Sequence, residues 1–566
     1  MSNTVNKNWI RVRDLYLDWL ADWPKSYDIK KLLNYQGYSL WWSSNLIKKD
    51  VLLDIGWIAD LYERLEDKNL YKSSSASRKR TPVYIFYVFI LDIYRFLLIK
   101  LFFPRRETVS DIYFYSIQLN LIEKDNLFFD RHYGGALTDT NNSNLSSSYL
   151  LALSNDYLDI LNPYKYIKKI NKILSSIDSE VIILDKYITI KDIFSVHLSI
   201  FKMYLLFVKE KRNKNFTDSF VLDGVPCSDL LVKELEKGFY GGFQSSLISG
   251  LQLLNWCNNQ ASDLVIVSYL ETLSAARPLY YFARKSKIKS TFVALQHSTI
   301  YKNKIDFYNR KAEFNYHSDD AINFSPQPDF YLLHGKQAKE MVSEFMNEDQ
   351  LKVIGCVKYD KYRELVGELV NIRKTVKASI KSSDKFTILL APSFGIDISN
   401  MLEMFKGISY DYTKIRFIIS PHPLVSIASI RKIISLSSIE VKFEFFPELS
   451  TQDLVIASDL VVCGFSSIAL EALVFETPSV RIIGDNQIPL FENEDSIMYI
   501  EDKNKFWDYI NLNLVSKDNK KSHKDITKLI NYYLFKIDGN AKERMWSFLK
   551  KIKKNNIKGI EKHDKF

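Results

Sequence analysis

A chain of 566 residues with 46% apolar and 25% charged side chains is too apolar for general disorder and long enough for roughly two to four domains. Its net charge of +10 suits an anionic substrate or a membrane surface, although lysines spread over a solvated surface give the same sum. There is no clustered basic stripe and no recognisable nucleic-acid module, so nucleic acid is not an expected partner. Cys227, Cys257, Cys356 and Cys463 lie far apart without metal-ligand spacing, which fits a reduced, cytoplasmic setting. The start MSNTVNKNW lacks a cationic-then-apolar leader pattern, so secretion is not expected.

From the N-terminus, Val12, Leu15, Trp19 and Leu20 have the spacing of an amphipathic helix. Gly37 to Ser44 (GYSLWWSS) reads as a strand, and the surrounding tryptophans read as aromatic core rather than a sugar-stacking platform. Lys72 to Lys79 is a polar, serine-rich loop. Pro82 to Pro104 is the most apolar segment, nearly long enough for a membrane span of about 20 residues. Asp92, Arg95 and Lys100 interrupt it, and a mid-bilayer charge costs about 2.5–3.5 kcal/mol on insertion scales. The segment is therefore expected to be a core or interfacial helix. Its basic flanks and aromatic content suit contact with a lipid surface.

Glu107 to Leu161 carries little pattern beyond a polar loop at Asp139 to Ser148. Pro163 to Ile177 and Ile190 to Lys211 are amphipathic, with a strand at Glu180 to Asp185 between them. Asp223-Gly224 is a turn. From Asp263 the order becomes strand (DLVIVSY), helix (Thr272 to Arg284), strand (Ser290 to Gln296), a βαβ unit. Glu271 follows the first strand and His297 the second. Both sit at carboxyl ends, where ligands bind in open parallel sheets, although capping or core polar roles fit either residue equally. Asp329 to Gly335 is the next strand, Lys336 to Phe345 a helix, Leu351 to Gly355 another strand, and Gly355 to Asp360 (GCVKYD) a turn into a helix. Lys374 to Lys385 has the composition of a linker.

A second run of strands and helices opens at Phe386 to Ala391, ending in Pro392-Ser393-Phe394-Gly395, where Ser393 and Gly395 are candidate ligand contacts. Ile415 to Pro423 (IRFIISPHP) drives a strand into Pro421-His422-Pro423. The prolines hold His422 on an extended, non-helical loop. Ser450 to Asp485 reads as helix, strand, turn, helix, strand. In its turn, Gly464, Ser466 and Ser467 precede a helix whose free N–H groups form a ready anion site. A plain N-cap serine fits the same position. Asn504 to Phe566 reads as helices with a lysine-rich end.

The SPHP loop, followed by strand, Gly-x-Ser-Ser, helix and Glu-Ala, resembles the nucleotide-binding domain of GT-B glycosyltransferases. More narrowly, it resembles bacterial surface-carbohydrate enzymes of capsule or O-antigen synthesis. These are capsule Kdo transferases, bacterial sialyl- and polysialyltransferases and, more distantly, teichoic-acid glycerophosphotransferases. The resemblance extends over Asp263 to Ile500 and includes the GxxKYD passage. It implies that His422, Pro423, Ser466 and Ser467 hold the nucleotide and phosphate of a CMP-sugar. His297 resembles the strand-end histidine of the glycerophosphotransferase HGT motif, with Ser298 in place of glycine. The acidic-acidic-Gly motif of some sialyltransferases is broken here by Leu222.

Two Rossmann-like arrays in one chain give the expected fold class: α/β and GT-B-like, two Rossmann-like domains facing a cleft, with an elaborated helical N-terminal region. The expected division is 1–373 for the acceptor domain, 374–385 for the linker, 386–503 for the nucleotide-sugar domain and 504–566 for terminal helices and a basic tail. There is no GxGxxG after a strand and no GxxxxGK[ST], which argues against a dinucleotide oxidoreductase and a P-loop NTPase. No DxD-like motif appears, so a metal-independent reaction is expected. The expected activity is sugar transfer from a nucleotide-activated donor, a CMP-linked acidic sugar favoured, to a growing surface polysaccharide. His297 or Glu271 would be the general base, and the donor is a substrate rather than a cofactor. A glycan or lipid-linked glycan is the expected acceptor, with peripheral contact at the inner face of the membrane. Alditol-phosphate transfer and a non-catalytic GT-B scaffold are the alternatives.

Overall fold

The computed structural model describes residues 2–49, 56–66, 82–105, 108–124, 127–133, 145–153, 161–177, 179–270, 273–300, 304–315, 319–382, 384–392, 395–407, 413–422, 425–437, 439–464, 466–482, 498–500, 502–515 and 523–563. Two parallel sheets carry the fold. The first contains β1 (Ile112–Ile117), β2 (Ser147–Ala152), β3 (Glu180–Ile183), β4 (Leu264–Ser268), β5 (Ser290–Leu295), β6 (Phe330–Leu333) and β7 (Leu351–Val353). Its strand order is β7-β6-β5-β4-β1-β2-β3, every pair parallel. The second contains β8 (Phe386–Ala391), β9 (Ile415–Ile419), β10 (Phe443–Glu444), β11 (Leu460–Cys463), β12 (Ser479–Ile482) and β13 (Met498–Ile500). Its order is β10-β9-β8-β11-β12-β13, again wholly parallel.

Both orders reverse direction once, the doubly wound arrangement of a Rossmann-like domain. Uninterrupted apolar strands such as β11 (LVVC) and β4 (LVIVS), buried along their whole length, suit sheets covered on both faces. The α/β, GT-B-like expectation holds.

An aromatic helical region stands against the first sheet. Trp9, Trp23, Trp41 and Trp42 are buried together with the helix Ile190–Lys211 and the helix Phe243–Cys257. The tryptophans are core, as the sequence suggests. The GYSLWWSS segment is not a full strand, however. Only Tyr38–Ser39 pairs in a two-residue ribbon, and Leu40–Ser43 forms a single 3₁₀ turn capped by Ser39 Oγ. That turn buries both Trp41 and Trp42, which a strand would have pointed to opposite faces.

Other boundaries shift for physical reasons. Glu107 to Leu161, silent in sequence, supplies β1, β2 and the ribbon Leu121–Lys124/Leu127–Asp130. Ser147 and Ser148, read as loop, lie in β2, where Ser148 Oγ meets Ser110 Oγ at 2.6 Å. The expected linker is helical as far as Ser379, within the helix Leu369–Ser379. Val376 and Ile380 are buried, Lys377 pairs with Asp459 at 2.7 Å, and Arg373 donates to the Ile456 carbonyl. The helix expected from Thr272 begins at Arg277. The Lys72 to Lys79 loop lies outside the described residues.

The chain's last helices join the two domains. The helix His523–Leu534 packs on the helix Lys336–Val342 of the first domain and on the helix Ile468–Val474 of the second. Gly335 makes this approach possible, because a Cβ there would lie 2.4 Å from the Tyr532 carbonyl oxygen. The helix Ala541–His563 then returns to the first domain, where Met545, Trp546 and Leu549 enter its core.

Candidate active site

In the first domain the strand order reverses between β1 and β4, and the loops after these strands form the crevice where such sheets bind ligands. Tyr269, just past β4, closes the reversal. Its hydroxyl accepts from the Ile117 N–H at 3.0 Å and from Asn120 Nδ2 at 2.6 Å. The ribbon after β1 folds back onto the strand ends. Buried Asp130 accepts from Ser116 Oγ and from the His132 N–H, and the Tyr133 hydroxyl reaches the carbonyls of Tyr115 and Val267. The ribbon thereby presents Arg131 and His132 over the crevice. Arg131 Nη2 donates to Asn120 Oδ1 at 2.8 Å, and its Nε donates to His132 Nε2 at 3.3 Å. The His132 ring stands 4.5 Å from the Tyr269 ring and 5.2 Å from that of His297.

His297 emerges from β5, one strand further along. Gln296 braces the neighbouring loops: its Oε1 accepts from the His334 N–H at 2.7 Å and its Nε2 donates to the Ser298 carbonyl at 2.8 Å. Lys304 donates to Ser298 Oγ and lies over the Phe307 ring. Burial, with the charges of Lys304, Lys358 and Arg131, holds the His297 imidazole well below the usual histidine range, while a backbone hydrogen bond to Tyr269 pulls the other way. Burial and neighbouring His297 lower His132 to about 2, with Arg131, Lys358 and Lys304 adding to the effect. His334, buried at the end of β6, falls to about 3 through burial and Lys358. Its Nδ1 has no hydrogen-bond partner among the described residues. The crevice therefore holds three neutral imidazoles within a field of three cations.

In the second domain the reversal falls between β8 and β11. The register places Ala391 opposite Cys463 and Leu390 opposite Ile419, so the loops after β8, β9 and β11 leave the sheet side by side. The β9 loop carries His422, half-buried, with its pKa lowered by burial and then by the charge of Arg131 from the other domain. The β11 loop carries Gly464, whose carbonyl accepts from the fully buried Arg481. Ser466 Oγ accepts from the Ile468 N–H at 3.3 Å, whereas Ser467 makes no side-chain cap. Both serines are partly accessible.

The fold thus brings His422, Gly464, Ser466 and Ser467 to one sheet edge, with Gly395 opening the helix Gly395–Glu403 beside them. Glu271, Ser393 and Pro423 lie outside the described residues. Asp223 pairs with Arg11 at 2.6 Å. Sequence reasoning missed Arg131, His132, His334, Lys304 and Lys358. His334 and Lys358 stood in recognised strand-end segments, but Arg131 and His132 lay in a stretch without periodicity. Among the described residues, no group of three or more His, Cys, Asp or Glu is placed to hold a metal ion.

No protein-family model matches the chain, and no curated protein matches it. Several solved structures align with it at TM-scores below 0.5. The wall teichoic acid polymerase TagF, in a structure with CDPG, aligns at a TM-score of 0.43 and 13% identity over 84% of this chain and 96% of that one. HepE of Anabaena, in complex with UDP-glucose, aligns at 0.38 and 11% over 78% and 100%. The UDP-GlcNAc 2-epimerase of Methanocaldococcus jannaschii aligns at 0.37 and 13% over 74% and 98%.

Proposed function

We propose that this chain is a metal-independent glycosyltransferase of surface-polysaccharide synthesis. In this reading it moves a sugar from a nucleotide-activated donor, a CMP-linked acidic sugar favoured, to a glycan or lipid-linked glycan acceptor. The observation that carries the reading is the pairing of two strand-reversal crevices. One holds His422 beside the Gly464–Ser467 turn, and the other holds His297 and His132 among Arg131, Lys304 and Lys358. Arg131 acts electrostatically across the space between them.

The second domain holds the donor, with His422, Ser466 and Ser467 on its phosphate. The first domain holds the acceptor hydroxyl against His297. A neutral imidazole accepts the hydroxyl proton as the glycosidic bond forms. In the free protein burial, and after it the three cations, disfavour imidazolium. A bound anionic donor cancels part of that field and lifts the His297 pKa toward the working pH, so the base gains strength when substrate is present. The same cations stabilise charge on the departing nucleotide, a role that elsewhere falls to a metal. No cofactor is required, since the activated donor is itself the substrate.

Alditol-phosphate transfer is the second reading. The specific observation favouring it is that Lys304, Lys358 and Arg131 surround the base itself, where a transferred phosphoryl group would sit. A panel of CMP-, CDP- and UDP-activated sugars and CDP-alditols, scored for thermal stabilisation and acceptor extension, separates the two. Extension from a nucleotide sugar supports glycosyl transfer, and extension from a CDP-alditol alone replaces it. Stabilisation by none would leave a non-catalytic scaffold.

A further inference from the structure

The helix Pro82–Phe102 and the helix Ile190–Lys211 pack side by side and antiparallel. Tyr84 and Tyr204 both meet the Tyr240 ring, Phe89 meets Phe194 at 5.0 Å, and Asp92 meets His197 Nε2 at 2.9 Å. Arg95 pairs with Asp185, and Lys100 donates to the Lys186 carbonyl. The three charges that interrupt the apolar segment are therefore engaged by the protein's own groups. No helix among the described residues is long and apolar enough to cross a membrane.

The outer faces of this pair are apolar and uncovered. Phe86, Ile90, Leu97 and Leu101 lie along the first helix at 64%, 47%, 48% and 76% exposure. Phe194, Leu198, Phe201 and Leu205 lie along the second at spacings of four, three and four residues, all more than 40% exposed. Soluble monomers rarely expose contiguous apolar patches beyond a few hundred Å². The exposed charges beside these stripes are cations: Lys100, Arg105, Lys191, Lys202 and Lys209. The acids of both helices are drawn away from that face. Asp92 is buried on His197, Asp192 caps its own helix at Thr189, and Glu210 accepts from Tyr27.

We propose that this helix pair docks flat on an anionic lipid bilayer, its apolar stripes at the acyl boundary and its lysines at the headgroups. An apolar face whose exposed charges, among the described residues of the two helices, are cations complements such a surface. The placement of the pair has a further consequence. Arg95 also donates to the Leu153 carbonyl, just past β2, and Asp185 lies just past β3. The pair is thus anchored at the carboxyl edge of the first sheet, the edge that carries His132, His297 and His334. Docking would bring that edge toward the membrane, where a lipid-linked acceptor would be presented. This last link rests on the proposed transfer function, whereas the docking surface does not.

The test uses the full chain and large unilamellar vesicles of phosphatidylcholine, with and without phosphatidylglycerol. Wild-type protein is expected to float with the anionic vesicles, less with neutral ones, and less as salt rises. Hydrogen exchange in residues 82–102 and 190–211 should slow on vesicle addition. The variant L101E/L198E changes two outward side chains and is expected to melt as wild type while partitioning at least about tenfold less. Failure of the wild type to float, or unchanged flotation and exchange in the variant, would overturn the proposal. So would a solution dimer that buries these helices and ignores vesicles. Donor binding and turnover with a soluble acceptor are read separately, so failure of docking and failure of the transfer reading are distinguishable.

Discussion

The His132 ring stands edge-on to the His297 ring, with planes at 85° and centroids 5.2 Å apart. The two residues come from loops on either side of Tyr269 and carry no common motif, yet His297 is, after burial, the largest influence that lowers the protonation of His132. His297 itself is held below its usual range by burial, then by the charges of Lys304, Lys358 and Arg131. His297→Ala is expected to leave donor binding intact while lowering transfer by about 10²–10⁴-fold. Titration calorimetry and single-turnover assays on the same variant check this. Full transfer by that variant would remove His297 as the base and return the role to Glu271.

Arg131 gives a different expectation. It is positioned by Asn120 and His132 in the first domain, yet its charge acts on His422 in the second. If both contact the donor phosphates, Arg131→Ala and His422→Ala should each weaken binding by about 1.5–3 kcal/mol, roughly tenfold to a hundredfold. Arg131→Lys should recover only part, because one ammonium does not replace the planar fork. Unchanged donor affinity in the Arg131/His422 double variant would rule out the phosphate role.

The histidines also predict how stability depends on pH. His132, His297 and His334 have folded pKa values below the unfolded value near 6.5. Below that pH the unfolded chain binds protons that the folded chain refuses, so stability falls with acidification. Each such group contributes up to about 1.4 kcal/mol per pH unit until its folded pKa is reached. Asp130 acts oppositely. Burial raises it to about 6, so between roughly pH 4 and 6 the folded state holds a proton that the unfolded state has lost. The expected net slope between pH 6.5 and 5 is still positive with pH. His334→Phe, which fills the same buried site without a titrating ring, should flatten it by about one proton in urea denaturation followed across that range.

How much of this was legible follows from what sequence pattern encodes. Both sheets from Asp263 onward announced themselves through unbroken apolar strands such as Ile415–Ile419, because burial on both faces demands them. His297 and His422 were visible because they end such strands. Arg131 and His132 were not. They owe their position to a ribbon whose register is set by Asp130, Ser116 and Tyr133, through two contacts between residues 14 and 18 apart and one to Val267 across the sheet. No period in the sequence records contacts of that kind. The segment 374–385 hid its helical part for the opposite reason. Its lysines look solvated in composition, but Lys377 has a fixed partner in Asp459 and Val376 faces the core.

Chelation offers a simple check on the chemistry. With cations lining the first crevice and Gly464, Ser466, Ser467 and His422 in the loops of the second, transfer is expected to proceed unchanged in EDTA. Loss of turnover on chelation, restored by Mg²⁺ or Mn²⁺, would sink the metal-free mechanism.

The final prediction concerns how the domains are held in register. The GCVKYD passage crosses between them, and hydrogen bonds to both sides fix it there. Glu471, on the helix after the Gly464–Ser467 turn, accepts from the Tyr359 hydroxyl at 2.9 Å and the Tyr362 hydroxyl at 2.5 Å. Asp360 accepts from the backbone N–H groups of Ala541 and Lys542 at 2.9 and 2.7 Å, capping the helix that returns to the first domain. Glu471→Ala leaves two largely buried hydroxyls without their acceptor, and each unsatisfied group costs about 1–3 kcal/mol. Asp360→Ala removes a cap worth about 0.5–2 kcal/mol, and Trp546→Ala opens a core cavity at about 3–5 kcal/mol. The three should differ in where the loss appears. Trp546→Ala should loosen the first domain, whose core it enters, while Glu471→Ala should loosen the second. Hydrogen exchange read separately over residues 264–295 and 386–419 distinguishes them. Equal loss in both segments for both variants would mean that the domains unfold as one unit, and that the crossing segment fastens them too tightly for independent motion around the cleft.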